Sequence, residues 1–359
     1  MSDISKIDIN LASGQIDDSI KWINSHDESF SVHGMFYNHE EKLYMRVPDE
    51  VVKASGNTAL YGLSRMTAGG RLRFITNSRF IALKAALPAS YPAPHMPITL
   101  THGFSVYADG IFKNRYSATF KNFIELKEYN EKSRIIFAEK KIIAENDEER
   151  IIEIYFPLYG GVSELYVGVS SDAIIKAAPP YKNKKPMLFY GSSITQGACV
   201  SRPGNDYVSI LARKFNSDYI NLGFSGNGNA EDAMIDYITS IDASLYAFDY
   251  NMYPKRKDRI LPPHFSIYER IREKHPDSLI LLYDKPGCDY EPYPEREKII
   301  SSSYEKAISL GDKRICYIPP RELFGEKDRD CCMADTAHPT DLGAMRMADS
   351  IYSIVSKKF

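Results

Sequence analysis

Residues 187–197 read Met-Leu-Phe-Tyr-Gly-Ser-Ser-Ile-Thr-Gln-Gly, an apolar run that ends in a glycine and two serines. This pattern predicts a strand that stops at a sharp turn and presents Ser193. A serine hydroxyl needs a base to take its proton, and an imidazole oriented by a carboxylate performs this task. His338 and Asp335, in the segment Asp335-Thr-Ala-His338-Pro, supply both groups. The sequence therefore predicts a nucleophilic serine site.

Such a site also needs hydrogen-bond donors where negative charge develops on the substrate. Three donors follow predicted strands: the backbone N–H of Ser193, the backbone N–H of Gly226 and the side-chain amide of Asn251. Gly226 belongs to the string Asn221-Leu-Gly-Phe-Ser-Gly-Asn-Gly228, and Asn251 to Asp249-Tyr-Asn-Met252. We expect these three donors to form an oxyanion hole.

Each of these residues also has an ordinary structural interpretation. Ser193 fits a turn or a helix N-cap, Gly226 a position with positive φ, and Asn251 a turn. Asp335 fits a loop cap, and His338 fits a surface position. Four such motifs in this order favour the catalytic interpretation, which remains a hypothesis until geometry tests it.

These motifs resemble those of a known family, the SGNH (GDSL) hydrolases. The order of Gly-x-Ser, a Ser-Gly loop, an asparagine and Asp-x-x-His is similar to the four blocks of that family. The resemblance implies Ser193 as nucleophile, His338 as base, Asp335 as its partner, and Gly226 and Asn251 as oxyanion donors. The longer strings resemble the branch that carries an N-terminal β-sandwich with a Gly-x-Asp-Leu-Tyr motif.

Two positions depart from the family pattern. Ser192 stands where Gly-Asp-Ser has an aspartate, so a carboxylate that often braces the nucleophile turn is missing. The upstream motif reads Gly103-Phe-Ser-Val-Tyr107, so Ser105 replaces its aspartate. The first change leaves the predicted nucleophile, base and donors in place, whereas any role of the second aspartate is in doubt.

Hydrophobic periodicity predicts two domains, residues 1–178 and 179–359. Short β-rich segments without helices between them predict an N-terminal β-sandwich or jelly roll. After residue 180, strands alternate with helical patterns at 207–215, 265–274 and 295–309, which predicts a three-layer α/β/α domain with a parallel sheet. Residues 177–186 combine proline and lysine, as expected for an extended connector.

Composition limits the partners. The 359-residue chain has a formal net charge of −2, which gives no electrostatic reason to expect nucleic acid or a membrane surface. Its five cysteines show no paired metal-ligand spacing, and no secretory signal is visible, so we expect a reduced cytoplasmic protein. A serine triad requires no cofactor and no metal. A homo-oligomer is left open.

The substrate is implied more by resemblance than by residues. The branch resembles carbohydrate O-acetyl esterases, which implies an ester of a carbohydrate or small metabolite. The polar, tyrosine-rich segment 283–293 is either a loop that favours a hydrated alcohol or a surface loop with no ligand. Two other functions stay open: an acyltransferase that uses the same site, and a non-catalytic carbohydrate-binding protein.

The N-terminal domain leaves a further choice open. Trp22, Tyr61, Phe104 and Tyr107 form either a sugar-stacking face or part of the sandwich core, and core packing is the more common role. Segments 93–96 and 103–107 are where we expect this domain to contact the catalytic one.

The assignment of Asn251 predicts a graded defect. Loss of one oxyanion donor lowers a catalytic rate constant by roughly 10²–10³, about 3–4 kcal/mol of transition-state stabilisation. Asn251→Ala should therefore hydrolyse esters slowly, with a smaller change in KM than in kcat. Steady-state kinetics test this, and an unchanged kcat would show that another group fills the position.

Overall fold

The computed structural model describes residues 16–90, 93–124, 126, 132–249, 264–286 and 294–359. Its first half is built from antiparallel strands with four short helices. The strands are β1 (Ile20–Asn24), β2 (Ser31–His33), β3 (Phe36–Asn38), β4 (Leu43–Met45), β5 (Arg71–Thr76), β6 (Phe80–Pro88), β7 (Gly103–Ala108), β8 (Ile111–Ser117), β9 (Arg134–Ile142), β10 (Arg150–Tyr155), β11 (Glu164–Ser170) and β12 (Ile175–Lys176). The helices are α1 (Asp49–Ser55), α2 (Ala59–Ser64), α3 (Ile98–Thr101) and α4 (Phe120–Ile124).

Two antiparallel sheets form the predicted sandwich. One has the strand order β1-β11-β6-β9, and the other β12-β5-β10-β7-β8 with β2 also paired to β5. Strand β5 shows how the sequence builds it, because alternate residues point to opposite faces. Leu72 and Phe74 are buried in the sandwich core, whereas Arg71 and Arg73 lie on the opposite face. Both arginines are nevertheless buried, because other segments of the chain cover that face of the sheet.

The second half is an α/β domain. Its strands are β13 (Asn183–Gly191), β14 (Ser217–Gly223), β15 (Leu245–Asp249), β16 (Leu279–Tyr283) and β17 (Ile315–Ile318). Its helices are α5 (Ser193–Gln196), α6 (Tyr207–Phe215), α7 (Asp232–Ser240), α8 (His264–Lys274), α9 (Pro294–Ser309) and α10 (Asp341–Val355).

The five strands of this sheet are parallel and ordered β14-β13-β15-β16-β17. Apolar residues of α6 and α10 form a core on one face, and those of α7, α8 and α9 form a core on the other. The predicted three-layer architecture is therefore confirmed. The strand that follows β13 in the chain lies on one side of it, and the later strands lie on the other side. Ligands of open α/β sheets bind at the carboxyl ends of the strands near such a change of direction.

Local details correct one prediction. The connector predicted at 177–186 is shorter, because β13 begins at Asn183 and pairs there with Ser217 of β14. Lys184 and Lys185 consequently lie in a strand and not in a linker. Helix α6 has the bounds that the sequence predicted. Within the described ranges, no helix combines the length and apolar character needed to cross a bilayer.

The two halves share a buried arginine. Arg46 follows β4, and its side chain is almost completely inaccessible to solvent. Its guanidinium donates four hydrogen bonds of 2.7–2.9 Å to backbone carbonyls, two in its own half and two on β14, namely those of Leu63, Met66, Asn221 and Gly223. Burial lowers the pKa of Arg46 to about 9, so the side chain stays protonated at neutral pH. This charge holds β14 against the sandwich half.

Replacement of Arg46 should destabilise the fold strongly. Arg46→Met keeps an apolar stem of similar length but removes the guanidinium donor from four backbone carbonyl groups, two of which lie in fully buried contacts. We expect a loss of at least about 3 kcal/mol in the free energy of unfolding, measured by chemical denaturation. Arg79→Met is the control, because Arg79 is exposed and pairs with the exposed Asp147, so its replacement should change the free energy of unfolding far less. Equal losses would show that Arg46 contributes no more than a surface arginine.

Candidate active site

The nucleophile turn joins β13 to the four-residue helix α5. Ser192 is the N-cap, and its Oγ accepts a hydrogen bond from the Ile194 N–H at 3.1 Å. Gly197 ends the helix with φ of 98°. Ser193 is thus the first helical residue, and its side chain remains partly accessible. This sharp strand-to-helix turn presents the serine, as its sequence predicted.

Ser193, His338 and Asp335 form a continuous chain of hydrogen bonds. The Ser193 Oγ lies 2.8 Å from His338 Nε2, and His338 Nδ1 lies 2.9 Å from Asp335 Oδ2. The other Asp335 oxygen accepts the backbone N–H groups of Ala337 and His338, each at 2.7 Å. Burial opposes the Asp335 charge, but the hydrogen bonds from His338 and these N–H groups together hold the pKa of Asp335 below its usual value. An ionised Asp335 orients the imidazole.

The loop that carries the imidazole is fixed on both sides. Met333 and Pro339 form an isolated antiparallel bridge around it. Thr340 then caps helix α10 by accepting a hydrogen bond from the Gly343 N–H at 3.3 Å. This N-cap places His338 three residues before the first residue of α10, a long helix with one buried face.

Asp249 is a site residue that the sequence analysis missed. It ends β15, and its carboxylate accepts hydrogen bonds from the Ser192 N–H at 2.7 Å, the Ser192 Oγ at 3.0 Å and the Thr195 Oγ1 at 2.8 Å. The carboxylate expected at position 192 is therefore supplied by the neighbouring strand. A Cβ at Gly191 would lie 1.5 Å from Asp249 Oδ1, so only glycine fits there. An aspartate at the carboxyl end of an apolar strand was the available sequence signal.

The environment of Asp249 disfavours its charge. Burial raises its pKa to about 6, although the hydrogen bonds from Ser192 and Thr195 act in the opposite direction. Beyond Thr195 lie two buried phenols: its Oγ1 is 2.8 Å from the Tyr207 hydroxyl, which is 2.6 Å from that of Tyr283. Thr195 thus links the carboxylate beneath the nucleophile turn to a buried tyrosine pair.

The predicted oxyanion donors are described only in part. Gly226 lies in a turn after β14 with φ of 65°, closed by a hydrogen bond from the Asn227 N–H to the Phe224 carbonyl at 2.8 Å. The preceding Ser225 N–H donates to Gln196 Oε1 at 3.0 Å, which ties this turn to α5. Asn251 lies outside the described residues. The oxyanion roles of these groups stay predictions.

Residues of the sandwich half contact Ser193 and His338 directly. The Tyr159 hydroxyl donates to the backbone carbonyl of Ser193 at 3.2 Å. The exposed His95 ring stacks on the His338 ring, with centroids 5.7 Å apart and planes 21° apart. Met96 packs against the core of the catalytic half. The contact that we predicted for segment 93–96 is confirmed.

The second predicted contact segment also meets the catalytic half. The Tyr107 hydroxyl accepts a hydrogen bond from Arg202 Nη1 at 2.7 Å. Phe104 is buried within the sandwich core, which supports the core interpretation for this residue. Tyr107 is buried instead at the contact with the catalytic half, where Arg213 lies over its ring. The Ser105 hydroxyl, at the altered motif position, is buried and has no hydrogen-bond partner among the described residues.

Cys199 lies close to this arrangement. It follows α5 by three residues and adopts a positive φ of 67°. Burial, together with the nearby Asp335 carboxylate, raises the pKa of Cys199 to about 11, so the side chain is a neutral thiol at neutral pH. The cysteines within the described ranges are free: Cys199, Cys316, Cys331 and Cys332.

Family models match both halves of the chain. Residues 184–356 match the GDSL-like lipase/acylhydrolase family, and residues 20–175 match the GxDLY model, described as the N-terminus of SGNH-hydrolase-type esterases. The chain belongs to this family, in the branch whose catalytic domain follows a GxDLY domain. It is an SGNH-type ester hydrolase. No curated protein matches the chain.

Solved structures share the fold over nearly the whole chain. A Bacteroides ovatus protein described as a GDSL-like lipase is 26% identical with a TM-score of 0.75, covering 94% of this chain and 98% of its own. A salicylyl-acyltransferase of a tetracycline biosynthetic pathway is 18% identical with a TM-score of 0.72, covering 95% and 98%. A family two carbohydrate esterase of Cellvibrio japonicus is 14% identical with a TM-score of 0.56, covering 93% and 96%.

The raised pKa of Asp249 predicts a pH-dependent stability. Folding favours the protonated carboxyl, so its contribution is full below the unfolded pKa of 3.8 and is lost as pH rises through about 6. Asp249→Asn cannot ionise. The stability of the parent relative to this variant should fall by roughly 2–3 kcal/mol between about pH 4 and about pH 7.5.

Denaturation curves of both proteins across this pH range measure the difference. Asp147→Asn is the control, because Asp147 is exposed and a hydrogen bond from Arg79 lowers its pKa, so no such fall is expected. A constant stability difference between the parent and Asp249→Asn would show that Asp249 does not ionise with a raised pKa.

Proposed function

We propose that the protein is a serine esterase that works through an acyl-enzyme, with Ser193 as nucleophile, His338 as base and Asp335 as its orienting group. The observation that carries this proposal is the 2.8 Å contact between the Ser193 Oγ and His338 Nε2, with Asp335 on the other ring nitrogen. The nucleophile, the base and the orienter have the mutual geometry that acyl transfer requires.

The reaction then follows from these positions. His338 Nε2 takes the Ser193 proton as the Oγ attacks the ester carbonyl, and the resulting imidazolium is stabilised by Asp335. His338 returns the proton to the departing alcohol, which leaves an acyl-enzyme. Water repeats the same sequence and releases the acid. The oxyanion is assigned to the N–H groups of Ser193 and Gly226 and to Asn251.

We further propose that the acyl group is short, most readily acetyl, and that the alcohol is a carbohydrate or a small polar metabolite. The Ser193 side chain is partly accessible, and the neighbouring His95 is exposed and polar, which suits a hydrated alcohol. The similar fold of a family two carbohydrate esterase agrees with this substrate class. The proposal names a class of ester and no particular sugar.

An acyltransferase is the second candidate, because one structure with a similar fold is a salicylyl-acyltransferase. Both reactions share the acyl-enzyme and differ only in whether water or another hydroxyl accepts the acyl group. A decayed, non-catalytic site receives less support. Asp249 braces the nucleophile turn despite Ser192, so the turn is still held in place.

A substrate panel tests the esterase proposal. The purified protein is assayed with p-nitrophenyl esters from acetate to long-chain acyl groups, then with acetylated sugars and with added acceptor alcohols. We expect the highest kcat/KM with acetate and release of acetate from at least one acetylated sugar. A preference for long chains would contradict the acetyl proposal. Acyl transfer to the acceptor at the expense of hydrolysis would establish the second candidate.

The hydrogen-bonded chain predicts that Ser193 and His338 act as a unit. Ser193→Ala and His338→Ala should each reduce kcat by several orders of magnitude, and the double variant should be hardly slower, because both residues serve one step. Circular dichroism should show an intact fold, since the Ser193 hydroxyl contributes little packing. Ser309→Ala, at an exposed hydroxyl, should retain the parent rate. Near-parent activity of folded Ser193→Ala would reject the mechanism.

A further inference from the structure

Three potential metal ligands from separate parts of the chain meet beside the candidate active site. They are His95 from the sandwich half, Cys199 after α5 and His338 of the proposed triad. One ligand atom of each residue lies within 4.8 Å of the others. His95 is exposed, and Cys199 and His338 are partly buried, so the cluster is open to solvent.

The types of ligand favour a borderline-soft cation. Imidazole nitrogen and thiolate sulfur are preferred ligands of Zn²⁺, and catalytic-type zinc sites use three protein ligands with water in the fourth position. At Zn–N distances of about 2.0 Å and Zn–S distances of about 2.3 Å, tetrahedral ligand atoms lie roughly 3.3–3.7 Å apart. The observed separations reach 4.8 Å, so binding requires the side chains to move closer together, and His95 is the most exposed of the three.

His338 is already oriented as a zinc-binding histidine would be. Its Nδ1 faces the Asp335 carboxylate at 2.9 Å, which resembles the carboxylate–histidine arrangement behind protein-bound zinc. Nε2 is then the nitrogen that remains for a metal. In the free protein this atom faces the Ser193 Oγ at 2.8 Å. A cation at Nε2 would therefore compete with the nucleophile for the same lone pair.

We propose that His95, Cys199 and His338 form a zinc-binding site whose occupation switches the esterase off. On binding, the Cys199 thiol releases its proton to solvent and a Zn–S bond forms. Zinc also takes the Nε2 lone pair of His338, which breaks the hydrogen bond to Ser193, and a water completes the coordination. Removal of zinc by a chelator restores the thiol and the base. The inhibitory effect rests on the proposed esterase function, whereas zinc binding does not.

Cobalt binding tests the site without an activity assay. The metal-free, reduced full-length protein is titrated with Co²⁺, whose bond to a thiolate gives a near-ultraviolet charge-transfer absorption. We expect one equivalent to bind, the absorption to vanish on addition of Zn²⁺, and Cys199→Ala to lack it. His95→Asn should weaken cobalt affinity by about 10-fold or more. Cys331→Ala and His39→Asn are matched controls at exposed positions outside the cluster.

Esterase assays with Zn²⁺ test the inhibitory effect. Each variant is compared with its own zinc-free rate, so any change in basal activity cancels. Zinc should inhibit the parent and both control variants, a chelator should restore activity, and Mg²⁺ at the same concentration should not inhibit. His95→Asn and Cys199→Ala should each need about 10-fold more zinc for half-inhibition.

The two assays separate the possible failures. Cobalt absorption that persists in Cys199→Ala, or no absorption in the parent, would overturn the metal site. Cobalt binding at the cluster without zinc inhibition of an active esterase would overturn the inhibitory effect. Cobalt binding at the cluster in a protein that hydrolyses no ester would reject the proposed function and leave the site standing.

Discussion

The buried Asp249 carboxylate is the interaction on which the geometry of the catalytic half depends. It ties the end of β15 to the turn after β13 through Ser192 and Thr195, so two neighbouring strands position the serine jointly. The turn closes around it because Gly191 leaves room for the carboxylate. Since Ser193 is adjacent to Ser192, its Oγ is placed within reach of His338 by this anchor. Burial disfavours the charge of Asp249, but its carboxylate positions the nucleophile turn.

The sandwich half is part of the catalytic structure. Arg46 donates hydrogen bonds to two carbonyls of β14, the strand that leads into the Gly226 turn. The sandwich half thereby helps to position that turn. Tyr159 contacts the backbone of Ser193, and His95 stacks on His338. All three residues precede the catalytic half in the chain. The serine, the base and the loop of a proposed oxyanion donor therefore each contact the N-terminal half.

Local patterns in the sequence predicted much of this structure. Helix α6 has the predicted bounds, and α8 and α9 each begin one residue before the predicted range, because apolar periodicity and end signals act over a few residues. Ser193, Asp335 and His338 were also found, since the strand-end serine and the Asp-x-x-His loop are local motifs. Gly226 is placed in a turn, but its role and that of Asn251 stay predictions.

The missed features depend on tertiary contacts. Nothing near Ser192 indicates that a carboxylate reaches it from another strand, and nothing near His95 indicates its partner. The cysteine spacing could not indicate that Cys199 lies beside His95 and His338, because these three residues come from separate segments. The predicted connector was too long. Lys184 and Lys185 suggested a solvated linker, but both belong to β13. The sequence therefore indicated the motifs and the segments that meet, but not the individual side chains that bind one another outside those motifs.

The location of the bracing carboxylate has a consequence for searches of genomes for related enzymes. A search that requires aspartate immediately before the serine would discard this chain as inactive. The compensating residue lies 57 positions from Ser192, at the end of the next strand in the sheet. A better criterion accepts either position, provided that glycine precedes the pair, because any larger residue would occupy the volume of the carboxylate. A signature motif that lacks its aspartate can thus still have a carboxylate at the nucleophile turn, supplied by a residue that is distant in the sequence.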